Sequence, residues 1–180
     1  MDRLPPLLTI GHSTRPLPGL IALLARHGVR SLADVRAFPG SRANPQYRRE
    51  SLEPALAAAG IRYEWIPALG GRRPRPPGPP RLGGWSEPGF QGYEAHMSTD
   101  EFASGLARLL ALARETAPDR TAFMCSEARW WSCHRAMIAD ALAARGLAVR
   151  HIMDADLVAH PLDARRDRYA PGTLPAPGGR

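Results

Sequence analysis

One stretch of sequence decides the fold: Thr121-Ala-Phe-Met-Cys-Ser-Glu-Ala-Arg-Trp-Trp-Ser-Cys-His-Arg135. Residues 121–124 are largely apolar and predict a buried strand, and residues 135–145 predict an amphipathic helix. Both cysteines of the chain, Cys125 and Cys133, lie in the polar loop between them. Strand ends open a crevice in α/β sheets, and helix N-termini bind anions. This loop is therefore predicted to be an active site.

Strands and helices alternate in the rest of the chain. Helical spacing of leucines predicts a helix between Pro18 and Gly28, and similar patterns predict helices at 51–59 and 100–114. Short apolar runs predict strands at 7–10, 31–35, 61–66, 121–124 and 148–152. Strands that alternate with helices form right-handed βαβ units. We predict a three-layer α/β fold with a mainly parallel sheet of about five strands flanked by helices.

The length of 180 residues fits one domain, which we place at 1–160, followed by a C-terminal tail at 161–180 that is expected to be frayed. Residues 67–92 contain seven prolines and seven glycines and predict a Pro/Gly/Arg-rich surface loop. Two interpretations of this loop remain open. It is either a basic flap that follows a phosphate backbone, with Trp85 or Phe90 as a stacking platform, or a tolerated insertion.

The charge of the chain favours a polyanionic partner. The net charge is +7, and all 24 basic residues are arginine, so a mechanism that needs a lysine Schiff base is excluded. Nucleic acid, most simply DNA, is the expected partner, and we assign no cofactor. The sequence shows neither a long apolar run nor a signal peptide, and two cysteines eight residues apart suit a reducing compartment. A cytoplasmic protein with no membrane partner is expected.

Charged and nucleophilic side chains recur after the predicted strands. Because the carboxyl ends of parallel strands meet at one edge of a sheet, we expect these side chains to form one pocket. The candidate catalytic residues are His12, Asp34, Cys125 and Glu127. The candidate nucleic-acid or anion-binding residues are Ser13, Thr14, Arg36, Ser41, Arg42, Arg72, Arg73, Trp130, Trp131, His134 and Arg135.

Several of these residues have a structural alternative. Asp34 and Arg36 could equally form a local ion pair that holds the pocket edge, and one of Trp130 and Trp131 could pack under the loop while the other stacks on a base. Cys125 is either a small core residue or, if exposed near a helix N-terminus and Arg135, a nucleophile or metal ligand. A metal site of Cys125, Cys133 and either His134 or His12 stays open, although C-x7-C-H is not a standard zinc spacing. Arg135 in the first helical turn opposes the helix dipole and therefore requires an anion nearby, either a phosphate or Glu127.

Six groups of residues form one recognisable pattern. They are Gly11-His-Ser-Thr14, Asp34-Val-Arg36 with Pro39 and Ser41, Leu69-Gly-Gly71, Tyr93 with Met97, Met124-Cys-x-Glu127 with Cys133-His-Arg135, and His151-Ile152. With this pattern, the chain resembles the family called domain of unknown function 488 over residues 7 to 153. The resemblance implies an α/β fold with a pocket built from these segments but no particular reaction. The Pro/Arg-rich stretch 72–81 is enlarged relative to that pattern.

Three functional hypotheses follow. The first is a nucleic-acid enzyme that acts on a base, most concretely a monofunctional DNA N-glycosylase that removes a damaged or modified base, with Trp130 or Trp131 as the stacking slot and Glu127 or Asp34 as the catalytic carboxylate. The second is a cysteine- or metal-dependent enzyme on a small anionic substrate, with Cys125 as nucleophile or ligand. The third is a non-catalytic nucleotide or nucleic-acid binding module.

Overall fold

The computed structural model describes residues 4–75, 77–78 and 87–161. These residues form a three-layer α/β fold around one six-stranded sheet, with the strand order β3-β2-β4-β1-β5-β6. The first five strands are parallel, and β6 is an antiparallel edge strand paired with β5. The strands are β1 Leu7–Gly11, β2 Val29–Asp34, β3 Arg62–Trp65, β4 Arg120–Cys125, β5 Val149–Met153 and β6 Asp156–Ala159.

Five helices cover the two faces of the sheet. Leucines of α1 and α2 pack with Leu8, Ile10 and Leu32 in one core, while apolar residues of α4 and α5 pack with Leu7 and Phe123 in the other. Apolar side chains from alternate positions of each strand therefore enter the two cores. The helices are α1 Leu17–Arg26, α2 Arg49–Ala58, α3 Pro88–His96, α4 Asp100–Thr116 and α5 His134–Ala143.

The order of the strands fixes where a ligand can bind. The chain leaves β1 towards α1 on one face of the sheet, and it leaves β4 towards α5 on the other. Strands β1 and β4 are neighbours, so their carboxyl ends diverge and leave a crevice between them. Such a switch point is where open α/β sheets bind ligands. The loops that begin at His12 and at Ser126 form its two walls.

The five predicted strands and four predicted helices are all present, and the predicted fold class is confirmed. Two elements were not predicted, namely β6 and α3. Helix α3 begins inside the segment 67–92 that was predicted to be a surface loop, and a 3₁₀ turn at Pro67–Leu69 buries Leu69 completely. The loop prediction was therefore wrong for these parts, because a few apolar side chains within a Pro/Gly-rich stretch suffice to form packed turns.

Some sequence-based predictions fall outside the described residues. They concern Arg81 and Trp85 of the basic flap and the C-terminal tail beyond residue 161. Within the described ranges, the structure contains no helix that is both long and apolar enough to cross a lipid bilayer.

Candidate functional site

The two loops of the crevice are joined by backbone hydrogen bonds. The His12 N–H donates to the Cys125 carbonyl over 3.0 Å, and the Ser13 N–H donates to the Ser126 carbonyl over 2.9 Å. Gly11 precedes them at a position where a Cβ atom would overlap the Glu127 carbonyl. Glycine at this position allows the β4–α5 loop to lie directly against β1.

A cavity of about 700 Å³ lies above this junction. Its volume is typical of small-molecule sites, which range over roughly 300–1,000 Å³. The floor is formed by Cys125, Cys133 and His134, and Tyr93 of α3 lies beside them. The predicted site residues that line the cavity are His12, Ser13, Thr14, Arg36, Ser41, Arg42, Arg72, Cys125, Glu127, Cys133 and His134.

The two thiols at the floor form one unit. Cys125 ends β4 and Cys133 is the N-cap of α5, and their sulfur atoms lie 2.8 Å apart. Backbone N–H groups donate to both sulfurs, from Glu127 to Cys125 over 3.3 Å and from Arg135 to Cys133 over 3.5 Å. Hydrogen bonds of this kind, at a helix N-terminus, stabilise a thiolate.

Arg135 places a buried positive charge against the two thiols. Its side chain is buried, with 1% of the residue exposed, and its Nε donates to Cys125 Sγ over 2.9 Å. It also donates to Thr9 Oγ1 over 3.2 Å and to the Glu127 carbonyl. It forms no ion pair with a carboxylate among the described residues. A buried guanidinium is costly unless an anion compensates it, so the thiol pair carries the negative charge.

The charge is divided unequally between the two sulfurs. Burial works to raise the pKa of Cys133, but the hydrogen bond from Cys125 and the charge and N–H groups of Arg135 outweigh it and lower that pKa to about 7. Burial raises the pKa of the Cys125 thiol well above its usual range, and the bond to Cys133 adds to this. Cys133 is therefore the thiol that ionises first, while Cys125 keeps its proton.

His134 is placed as a base for Cys133. Its Nε2 lies 2.8 Å from the Val35 carbonyl, which can only accept, so Nε2 carries the proton. Its Nδ1 lies 3.4 Å from Cys133 Sγ and is left free to accept one. Burial lowers the pKa of His134, which keeps the imidazole neutral at pH 7. A Cβ atom on Gly71 would overlap the His134 ring, so the glycine allows the histidine its position.

The same three side chains form the candidate metal site of the sequence analysis. The sulfur atoms of Cys125 and Cys133 and a ring nitrogen of His134 all lie within 4.8 Å of one another. Two thiolates and one imidazole are a ligand set that zinc accepts, with a fourth position open. However, two sulfurs bound tetrahedrally at 2.3 Å stand about 3.8 Å apart, whereas these lie at 2.8 Å. The spacing favours a thiol pair over a metal centre.

A buried chain of hydrogen bonds fixes Arg135 from behind. The Asp140 carboxylate can only accept, so His160 Nε2 donates to it over 2.6 Å. With both rings neutral, His151 Nε2 then donates to His160 Nδ1 over 2.9 Å, and Thr9 Oγ1 donates to His151 Nδ1 over 2.8 Å while it accepts from Arg135. These bonds hold each ring in a single tautomer. His151 was predicted to be structural, and it orients the guanidinium through Thr9.

Comparison with known proteins agrees with the family resemblance. A family model described as domain of unknown function DUF488 matches residues 17–142. The chain belongs to the DUF488 family. No curated protein and no solved structure gives a significant match.

One catalytic candidate of this DUF488 protein, Asp34, lies outside the lining of the cavity. Asp34 is fully buried, and its carboxylate accepts from Arg36 Nε over 2.8 Å and from the Tyr63 hydroxyl over 2.7 Å. It does not line the cavity, and of the two roles that the sequence left open the structure shows the local ion pair with Arg36. Asp34 neutralises Arg36, which lines the cavity with its charge already paired.

His12 lines the cavity but cannot act as an acid at neutral pH. Its Nδ1 bonds the Ser13 carbonyl at 2.8 Å, and its ring stacks on Tyr47 with 4.0 Å between centroids. Burial lowers the pKa of His12 to about 4, despite the bond to Ser13. Ser13 itself has a φ of 48°, a left-handed conformation that non-glycine residues adopt rarely and often at functional sites.

Four predicted ligand-binding residues do not line the cavity. Trp130 is buried and stacks on His151 with 4.0 Å between ring centroids. Trp131 is 45% exposed and contacts the Trp130 ring in a T-shaped arrangement. Trp130 is therefore packed under the loop, and the exposed Trp131 is not among the residues that line the cavity. Arg73 forms an ion pair with Glu101 and bonds the Gly70 carbonyl, so it braces the loop. Arg135 was expected to pair with Glu127 or a phosphate, but it contacts the carbonyl of that residue and the thiols.

Several lining residues were not identified from the sequence. Phe38 is 69% exposed at the rim, and Tyr93 lies 5.2 Å from the His134 ring between centroids. Tyr93 could have been found, because Phe90, Tyr93 and Met97 have helical spacing and Pro88 is typical of a first helical turn. The Val35 carbonyl that orients His134 has no sequence signal.

Proposed function

We propose that this DUF488 protein is a thiol-dependent enzyme that acts on a small, negatively charged substrate, with Cys133 as the nucleophile. The observation that carries the proposal is the pair of thiols against buried Arg135, which demands a thiolate at the floor of the cavity. A thiolate with a pKa close to the ambient pH combines a high ionised fraction with good nucleophilicity.

The arrangement around Cys133 supports nucleophilic catalysis. The base, His134, lies within reach of the sulfur, and a third group, the Val35 carbonyl, orients the base. This is the order of nucleophile, base and orienting group that recurs in cysteine enzymes. Two charged groups of the cavity are already paired: the thiolate with Arg135, and Arg36 with Asp34.

Two arginines and two carboxylates that line the cavity form no ion pair with any residue that the structure describes. Arg42 and Arg72 are exposed on its walls, and so are Glu87 and Glu127. The N-terminus of α5 adds a partial positive charge beside Cys133. A substrate with a carboxylate or similar anion would bind the arginines while its reacting atom faces the sulfur.

Alkylation with two small reagents tests this proposal. Iodoacetate and iodoacetamide alkylate the same sulfur, but only iodoacetate is charged. The ratio of the iodoacetate rate to the iodoacetamide rate, compared with the same ratio for a free thiol, therefore measures how strongly the cavity attracts an anion. We expect Cys133 to prefer iodoacetate, and Arg42→Gln or Arg72→Gln to lower its iodoacetate rate by about 3- to 10-fold while sparing the iodoacetamide rate.

The matched control is Arg114→Gln, which removes an exposed arginine on α4 away from the cavity and should leave both rates unchanged. Equal ratios in the wild type and in both cavity variants would contradict the anionic substrate. Alkylation that survives Cys133→Ser at the wild-type rate would contradict the nucleophile.

The base-directed enzyme is a second candidate, and one observation favours it. The Glu127 carboxylate lines the cavity and forms no hydrogen bond or ion pair with any described residue, and the exposed Phe38 ring offers a stacking surface at the rim. In this form of the hypothesis, Glu127 alone would position water, and Phe38 would replace the tryptophans.

A strand-cleavage assay tests this second candidate. Labelled DNA that carries single altered bases is incubated with the protein and then treated with alkali, which cuts at abasic sites. A monofunctional glycosylase predicts alkali-dependent cuts at one lesion, reduced about 100-fold or more by Glu127→Gln, and unchanged by Glu50→Gln, an exposed control on α2. The absence of cuts at every lesion, or full activity of Glu127→Gln, would refute it.

A further inference from the structure

We infer that Cys133 and Cys125 act as an attacking and a resolving thiol in a dithiol–disulfide exchange with a low-molecular-weight disulfide that carries amino-acid charges. The inference rests on the proposed function, since it assigns a reaction to the same nucleophile. It adds a role for Cys125 and names the class of substrate.

The geometry of the two sulfurs carries the reaction. They lie 2.8 Å apart, about 0.8 Å beyond the length of a disulfide bond. One sits at the end of β4 and the other at the N-cap of α5, two elements that pack in the same core. A short approach of two sulfurs already in contact is therefore enough to join them.

The two sulfurs differ in the way that the exchange requires. Cys133 borders the cavity at a helix N-terminus, where backbone and guanidinium groups of Arg135 stabilise its thiolate. Cys125 lies beside it at the cavity floor, and burial raises the pKa of the Cys125 thiol, so that Cys125 keeps its proton. The thiol that is ionised attacks first, and the thiol that becomes ionised afterwards completes the exchange.

The reaction balances in two steps. The Cys133 thiolate attacks one sulfur of the substrate R–S–S–R, forms Cys133–S–S–R and releases R–S⁻. Cys125 then loses its proton to the departing thiolate or to His134 Nδ1, and its sulfur attacks Cys133 Sγ, which releases the second R–S⁻. The protein dithiol is oxidised by two electrons to a disulfide, and the substrate is reduced to two thiols. Excess thiol reverses the exchange.

The charges of the cavity indicate the kind of disulfide. Two exposed arginines, Arg42 and Arg72, and two exposed carboxylates, Glu87 and Glu127, line it together. A substrate that carries only carboxylates would place negative charge against Glu87 and Glu127. A substrate that carries only amines would place positive charge against Arg42 and Arg72. Molecules built from amino acids carry both a carboxylate and an ammonium group and can satisfy both pairs.

Mass spectrometry of the wild-type protein with three disulfide probes tests the inference. Oxidised glutathione carries both charges, dithiodiglycolate carries only carboxylates, and cystamine carries only amines. We expect oxidised glutathione to yield the intramolecular Cys125–Cys133 disulfide, seen as the loss of two hydrogens. Relative to a free thiol, its rate should exceed that of cystamine by about tenfold or more, and that of dithiodiglycolate by a smaller factor.

Variants separate the two steps. With oxidised glutathione, Cys125→Ser and Cys125→Ala should accumulate a glutathione adduct on Cys133, because the resolving thiol is missing, and Cys133→Ser should form neither product. A wild-type protein that accumulates the adduct as both Cys125 variants do would overturn the inference while leaving the proposed thiol enzyme intact. If Cys133 reacts with neither the disulfides nor iodoacetate, the proposed function fails as well.

Discussion

Replacing Arg135 by methionine is expected to abolish most of the thiolate at neutral pH. Methionine has a similar length but no charge, so burial of the thiol pair is no longer opposed and the pKa of Cys133 rises from about 7 towards or above its ordinary value. If that value is about 8.5, the ionised fraction at pH 7 falls from about one half to about 3%, roughly 15-fold. The ultraviolet absorbance of the thiolate measures this fraction directly.

Two comparisons make this result specific. Arg135→Lys keeps a cation but loses the planar fork that reaches Cys125 and Thr9 together, so we expect an intermediate thiolate fraction. Arg114→Met removes an exposed arginine and should change nothing. An Arg135→Met protein that folds and keeps the wild-type thiolate absorbance would show that the guanidinium does not hold the charge.

Gly11→Ala is expected both to lower the free energy of unfolding and to displace the loop that holds Cys125 and Cys133. The added Cβ would overlap the Glu127 carbonyl and approach the Arg135 side chain, so the β4–α5 loop must shift. Overpacking of this kind costs about 1–3 kcal/mol or more in the free energy of unfolding. Since the same loop holds Cys125 and Cys133, iodoacetamide alkylation should slow as well.

A second glycine provides the matched control. Gly19 in α1 has nothing within 4 Å of its added Cβ, so Gly19→Ala should leave the unfolding free energy unchanged or raise it by up to about 1 kcal/mol. Urea unfolding of both variants measures the difference. Equal stability of the two variants would mean that the contact between Gly11 and Glu127 is not constrained as described.

The sequence was informative where the pattern of apolar residues decides the structure. The alternation of strands and helices predicted the parallel sheet. Because the carboxyl ends of parallel strands meet at one edge of a sheet, it also placed His12, Cys125 and His134 at the same edge. Helix α3 was missed because its apolar residues lie in a stretch dominated by proline and glycine, and β6 was missed because a four-residue edge strand contributes little burial.

The roles of side chains were less predictable than their positions. The sequence left two roles open for Asp34, a catalytic carboxylate or a local ion pair with Arg36, and only the structure shows the ion pair and the Tyr63 hydroxyl that joins it from the neighbouring strand. The need of Arg135 for an anion was visible from its place in the helix. Its actual partner, a pair of cysteines ten and two residues before it, depends on side-chain directions that spacing alone does not give.

The most direct test of the account is a pH titration of the thiolate absorbance in the wild type, Cys133→Ser and Cys125→Ser. The account predicts that the wild type gains one thiolate with a midpoint near pH 7 and that Cys133→Ser loses this transition. Cys125→Ser should retain a thiolate at Cys133. A wild type whose thiols ionise only above about pH 8.5, as free cysteines do, would contradict the claim that buried Arg135 stabilises a thiolate in the thiol pair.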